Sequence, residues 1–489
     1  MRLRLIYWME RTLKELEKVR AGPDPDAVHD LRVAIRRCRS FAALMEEVDP
    51  DPAWPEMHKL GRKLFQQLGE LRDNQVLQEW VAKLGDEVDP VRQRLVEEFA
   101  TREGELQEAA LAAADEFKQK SWRKLEGNLQ GRSRIVPPDG LAAECLALER
   151  LEAAKELHAR AARTEKPATW HELRIGVKRF RYTVESLLPA RYEVWGNDLK
   201  HVQDLLGDVH DLDVLSVAVT KAAATETEEI RARWAGRIAT ARHERIDTYR
   251  QLTSGETSLW QTWRQGLPLG RRLEACAMAR LRVTAGALDV NAKRTSQISR
   301  LSMHLYDGFA RVHAAPVFSI DDLRKIMRAA ARLQGIGNNL DPDAPQKAAR
   351  DLLRQMARPA GWTEIEWELV AQIERFQRGA LPQSKHKSFA RLTEADQKVV
   401  CTLAGILRLA RALRKCGVES AVELRFEKSI DAFTVHIPGL ETSVEAAARL
   451  GAGKYLLESH LERPLILRPA PVSPPSAEET SPQSAVASD

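Results

Sequence analysis

A twelve-residue phrase occurs twice in this chain, and the repetition limits what it can fold into. Val28-His29-Asp30-Leu31-Arg32-Val33-Ala34-Ile35-Arg36-Arg37-Cys38-Arg39 returns 142 positions later as Trp170-His171-Glu172-Leu173-Arg174-Ile175-Gly176-Val177-Lys178-Arg179-Phe180-Arg181. A second phrase, Leu68-Gly69-Glu70-Leu71-Arg72-Asp73-Asn74-Gln75-Val76-Leu77, returns 138 positions later as Leu206-Gly207-Asp208-Val209-His210-Asp211-Leu212-Asp213-Val214-Leu215. Two phrases repeated in the same order define a duplicated unit.

Wound on a helix, His29, Arg32, Arg36 and Arg39 fall within an arc of about 80°. Val28, Leu31, Ile35 and Cys38 take the opposite side. In the second copy His171, Arg174, Lys178 and Arg181 fill the same arc, with Leu173, Val177, Phe180 and Val184 behind them. Like charges three or four residues apart repel, at a cost of about a few tenths of a kcal/mol per pair. A single charge row is ordinarily a solvated helix face. The same row in register twice, with few acids interleaved, points instead to a polyanion lying along it. The two histidines either support their helix starts or donate hydrogen bonds to the anion; neither belongs to a metal pattern such as His-Glu-x-x-His.

Before each Leu-Gly phrase lies a further basic cluster: Lys59, Arg62 and Lys63 in the first copy, Lys200 and His201 in the second. Arg72 and His210 occupy corresponding positions. Asp73, Asp211 and Asp213 read as groups that orient or neutralise basic neighbours, since no nucleophile or metal partner accompanies them.

These phrases resemble those of the CHAD family, the conserved-histidine α-helical domain, over residues 1 to about 265. The resemblance implies a mainly α fold of two four-helix bundles related by pseudo-twofold symmetry, with the basic helices lining a shared cleft. It also implies inorganic polyphosphate as ligand, held by His29, Arg32, Arg36, Arg37, Arg39, Lys59, Arg62, Lys63 and Arg72. The second copy lends His171, Arg174, Lys178, Arg179, Arg181, Lys200, His201 and His210. The departures are Asn74-Gln75 where the second copy has Leu212-Asp213, and Arg72 where it has His210.

Lysine and arginine exceed aspartate and glutamate by only five, so any strong positive potential is local rather than general. Five scattered cysteines without a Cys-x-x-Cys exclude a zinc ribbon and a disulfide scaffold, and suit a reducing cytoplasm. No apolar run approaches the roughly 20 residues of a membrane span. The apolar start is too short for a signal peptide. The expected divisions are a first helical repeat at 1–130, a second at 139–265, and a helical domain at 275–417. A small α+β end at 418–468 and a disordered tail at 469–489 complete the chain. Segments 421–426 and 433–437 alternate as strands do, and helix starts and stops are expected at sites such as Asp24 and Gly196.

From residue 275 to about 467 the chain resembles the C-terminal helical region of exopolyphosphatases and guanosine pentaphosphate phosphatases. The stretches that carry the likeness are 300–310, 327–337, 379–382 and 403–413. The implied fold is of the HD type with a strand-bearing end. Catalytic HD domains hold a metal through a His-Asp pair plus a distal His and Asp. Here those places read Gln334-Gly335, Pro345-Gln346-Lys347 and Arg411, which cannot rebuild an imidazole and carboxylate set. Hence no catalytic residue, metal site or cofactor is expected. Gly335-Ile-Gly337 reads as a helix end rather than a phosphate loop. Other basic residues here, Arg324, Lys325, Arg328, Arg375, Arg378 and 385–387, are either solvated or contact an anion.

The leading functional expectation is non-catalytic binding of polyphosphate, with targeting to cytoplasmic polyphosphate granules. The second half then supports binding or homodimerisation. The rivals are a phosphohydrolase of polyphosphate or nucleotides, a nucleic-acid binder using the same cations non-specifically, and an adaptor for acidic protein tails. Single-strand binders interleave aromatic platforms with their cations; Phe41, Trp170, Phe180 and Tyr182 are the candidates, and Phe180 falls on the apolar side.

Overall fold

A computed structural model describes residues 5–22, 24–164, 166–320 and 322–470. Residues 471–489 of the expected tail lie outside the described residues. The chain divides into two compact units, Met1–Ala287 with Pro359–Gly361, and Leu288–Arg358 with Trp362–Asp489. Among the described residues the architecture is mainly helical, with strands only toward the C-terminal end.

The first unit begins with α1 (Leu5–Ala21), α2 (Pro25–Met45), α3 (Ala53–Leu60), α4 (Arg62–Leu84), α5 (Pro90–Asp115) and α6 (Gln119–Arg132). The plan returns as α7 (Leu141–Thr164), α8 (Pro167–Leu187), α9 (Pro189–Ala222), α10 (Glu228–Thr253) and α11 (Leu259–Gln265), and α12 (Gly270–Leu288) follows. The displacement of the first phrase carries α2 onto the bounds of α8. That of the second carries α5 onto those of α10, and α4 onto the latter part of α9. Local chemistry sets these bounds. Asp24 caps α2 by accepting from the backbone N–H groups of Asp26 and Ala27, both at 3.0 Å, with Pro25 in the first turn. Pro167 opens α8 in the same way.

Gly196 does not stop a helix. It sits inside α9 without the positive φ of a C-terminal glycine cap, so α9 runs unbroken where the first copy divides at Gly61 into α3 and α4.

The two repeats share one apolar core. Leu77, Trp80 and Val81 of α4 and Val91, Leu95 and Phe99 of α5 pack with Leu212, Leu215 and Val219 of α9 and Trp234 and Ile238 of α10. Trp234 is fully buried, which by area contributes about 5 kcal/mol. Its Nε1 donates to Asp89 Oδ1 at 2.9 Å, and the same carboxylate caps α5 through the Val91 and Arg92 N–H groups. Arg237 of α10 donates to the Leu84 carbonyl at 2.8 Å and pairs with Asp86 at 2.7 Å. α2 and α8 also pack against each other.

The second unit comprises α13 (Ala292–Arg311), α14 (Leu323–Leu333), α15 (Pro345–Gln355), α16 (Glu364–Phe376), α17 (Lys387–Ala390) and α18 (Glu394–Lys415). Then come β1 (Arg425–Lys428), β2 (Phe433–Pro438), α19 (Val444–Glu458) and β3 (Leu465–Ala470). Helices α18 and α19 approach closely at two glycines. A Cβ on Gly453 would lie 2.6 Å from that of Ala412, and one on Gly405 would lie 2.7 Å from the Leu457 nitrogen. β2 buries Phe433, Val435 and Ile437 on one face and pairs antiparallel with β1, Phe426 opposite Val435. β3 is absent from the strands expected from the sequence. It pairs parallel with β2, Phe433 opposite Leu465, after a crossover through α19.

Candidate functional site

The apolar sides of the two repeated helices are buried: Val28, Leu31, Ile35 and Cys38 on α2, and Leu173, Val177, Phe180 and Val184 on α8. Each helix is thereby locked in rotation, and the cationic faces are brought together. Arg32 reaches from α2 to α4, donating from Nη1 to the Gly69 carbonyl at 3.2 Å and pairing with Asp73 at 3.4 Å. The Arg39 guanidinium lies 4.9 Å from the Phe65 ring centre and donates to the His58 carbonyl at 3.1 Å. His58 Nε2 donates in return to the Arg39 carbonyl at 2.6 Å. Arg36 lies over the Tyr182 ring at 5.7 Å, so a side chain of the first copy rests on one of the second.

Burial and charge crowding together set the electrostatics of the cluster. Lys178 is pushed down to about 7, first by burial and then by Arg174, Arg36 and Arg32; Asp211 opposes them. Arg36 is also lowered by burial, with Arg32, Arg37 and Arg181 adding to the effect. The Asp211 carboxyl is pushed up to about 6 by burial, with Asp73 and Asp208 acting against Arg174 and Lys178. His210 is pushed down to about 4 by burial together with Arg174 and His171, and its Nδ1 stands 3.3 Å from His171 Nδ1. The buried Nε atoms of Arg36, Arg174 and Arg181 and the Tyr182 hydroxyl have no hydrogen-bond partner. Such donors, desolvated and unanswered, favour an anion. A cavity of about 420 Å³ opens among Arg36, Arg39, Lys178, Arg179, Phe65 and Tyr182.

Not every expected residue joins this cluster. Arg62 reaches it through its charge on Arg39, and Arg179 lines the cavity. Arg37 turns away: it pairs with buried Glu185 of α8 and lies 4.9 Å from the Trp8 ring centre. Lys59 and Lys63 line a separate cavity of about 670 Å³ beside α6, where Lys63 pairs with Glu116 at 2.5 Å. Arg72 pairs with Glu79 at 3.1 Å. His29, Lys200 and His201 are exposed.

Two participants escaped the sequence reading. Phe65 supports both Arg39 and Arg32, the latter at 5.8 Å. Arg150 of α7 lines the cavity, pairs with Glu47, and is lowered to about 10 by burial and by Arg179. The place that corresponds to Arg150 in the first copy is Trp8, so the repeat carried no signal for it.

In the second unit, the positions where a catalytic HD domain would carry ligands hold a buried polar knot. Gln334, 1% exposed, donates from Nε2 to the Thr295 carbonyl at 3.3 Å. Arg411 donates to the Gln334 carbonyl at 3.2 Å and to the Gln377 side chain. Glu374 beside them is raised by burial against the pull of Arg411 and Arg378. A guanidinium therefore supplies the positive charge at this place. Among the described residues, no group of three or more His, Cys, Asp or Glu is placed to share a metal ion. All five cysteines are buried and unpaired, and no described helix is long and apolar enough to cross a membrane.

Comparison with known families accords with this division. Residues 9–220 match the model of the CHAD domain, and residues 280–452 match that of the Ppx/GppA phosphatase, domain III. The two matches follow one another along the chain without overlap. A crystal structure of the CHAD domain from the plant Ricinus communis is similar at 24% identity, covering 55% of this chain and 90% of that one, with a TM-score of 0.36. No curated protein matches. The CHAD match ends at residue 220, whereas the structural repeat continues through α10, the counterpart of α5.

Proposed function

We propose that the CHAD domain binds inorganic polyphosphate, without catalysis, along the cleft where α2 faces α8. CHAD is a polyphosphate-associated family. The observation that carries the reading is the meeting of Arg32 and Arg36 from one repeat with Arg174 and Lys178 from the other, close enough to lower the Lys178 ammonium. A linear anion with a charge on every unit would relieve that repulsion, and arginine forks would bind its oxygens in pairs. The aromatic residues in the cleft speak against a nucleic-acid platform. Phe65 and Tyr182 are already covered by arginines, while Phe41, Trp170 and Phe180 are buried. Arg37 serves the α2–α8 contact through Glu185, and the lysines at 59 and 63 lie off the main path. On this reading the chain is targeted to polyphosphate granules in the cytoplasm. The second unit, in which no metal-ligand group occurs among the described residues, is assigned on the same reading to supporting binding or dimerisation. Replacing Arg32, Arg36, Arg174 and Lys178 together with alanine should abolish polyphosphate binding in calorimetry while far-UV circular dichroism is unchanged. Retained affinity in that variant rejects the assignment.

A further inference from the structure

The second unit contains a cationic cavity of its own, of about 380 Å³, where α15, α16 and α17 converge. Lys347 and Arg350 come from α15, Arg375 from α16, and His386 and Lys387 from the start of α17. Arg375 is only 8% exposed, yet its Nη1 is buried without an acceptor. Burial and the Arg350 guanidinium push it down, and Asp351 is the carboxylate that opposes them. Asp351 is itself held by Arg350 at 2.6 Å. Glu368, the other acid nearby, is taken by Arg354. The cavity also holds an unanswered acceptor: Gln372 is fully buried, its Nε2 donates to Glu368 at 2.7 Å, and its Oε1 has no partner.

We infer that this cavity is a binding site for a terminal phosphoryl group, with anionic oxygens on Arg375, Lys347 and Lys387 and a P–OH donating to Gln372 Oε1. A deep donor beside a deep acceptor suits an oxyanion that keeps one proton. Inorganic phosphate, pyrophosphate and the end of a polyphosphate chain share this feature, whereas an internal phosphate of a chain has no P–OH to offer. The inference rests on the second unit alone and stands whether or not the CHAD cleft binds polyphosphate.

The test uses the full chain with Arg32, Arg36, Arg174 and Lys178 replaced by alanine, which removes the cleft. Inorganic pyrophosphate should bind this protein at one site per chain, and trimetaphosphate, a ring without ends, should bind about tenfold or more weakly. Adding Arg375→Gln should weaken pyrophosphate about tenfold or more. Because that arginine is buried, Lys347→Ala with Lys387→Ala provides the surface counterpart, with the same loss expected and circular dichroism unchanged. Gln372→Met should narrow the gap between pyrophosphate and trimetaphosphate. Inorganic phosphate binding as well as pyrophosphate would mark a free-phosphate site; a strong preference for pyrophosphate and short linear chains would mark a chain-end site. Absence of pyrophosphate binding, or affinity unmoved by both the Arg375 and the lysine variants, overturns the inference.

Discussion

Raising the pH from about 6 to about 8 should weaken binding of long-chain polyphosphate by about tenfold more in the natural protein than in a Lys178→Arg variant. The magnitude follows from the ammonium in the cleft, lowered to about 7 by burial and by Arg174, Arg36 and Arg32. In the empty cleft it is about nine-tenths charged at the lower pH and about one-tenth at the higher. A polyanion alongside favours the ammonium, so the bound form stays charged throughout. The linkage ratio between the two pH values is then about tenfold, with affinity greatest below the free-state value and lost as pH rises through it. Arginine remains charged at both ends and carries no such dependence. Asp211, raised to about 6 and coupled to Lys178, and His210, lowered to about 4, are present in both proteins, so the difference reads the ammonium together with its coupling to Asp211. Calorimetry at matched salt reads the affinities. In buffers of differing ionisation enthalpy it should also show about half a proton more taken up at pH 7 by the natural protein. Parallel pH profiles for the two proteins would refute the crowded-cation account.

Further predictions concern the scaffold. Asp89→Ala removes both the α5 cap and the acceptor of Trp234 Nε1 and should cost about 2–3 kcal/mol in urea unfolding. Adding Trp234→Phe should make the two losses less than additive. Arg411→Met removes the donor to the Gln334 carbonyl and to the buried Gln377 side chain and should cost about 1–3 kcal/mol in urea unfolding. Gly337→Ala would set a Cβ 1.9 Å from the Pro345 carbonyl oxygen and should destabilise the second unit by about 1–3 kcal/mol or more. Gly104→Ala meets open space inside α5 and should stabilise by up to about 1 kcal/mol.

The helical period of the repeated phrases was enough to read the cleft's central members. Once Leu31 and Ile35, or Leu173 and Val177, are buried, the residues opposite them can only face outward, and the displacement between copies predicts that the faces correspond. Arg37, Lys59 and Lys63 rest on the family resemblance and a local basic cluster, not on the helical period: Arg37 lies off the row on the helix and pairs with Glu185. Lys59 lies near the end of α3, which packs on α6, and Lys63 lies at the start of α4, so their side chains line a cavity beside Phe117. Arg150 and Phe65 were illegible because each lies outside the shared phrases and acts only through tertiary contact. β3, with prolines at 464 and 469, shows no alternation and runs two residues into the expected tail, and its identity as a strand depends on a parallel partner brought to it by α19.

The most direct test of the central claim is calorimetric titration of the full chain with long-chain polyphosphate at near-physiological salt, beside single-stranded DNA of matched charge. Tight binding of polyphosphate with weak binding of DNA is the predicted result. Equal affinity for the two would reduce the cleft to generic polyanion capture, and no binding of either would mean that the duplicated basic rows serve packing or a protein partner.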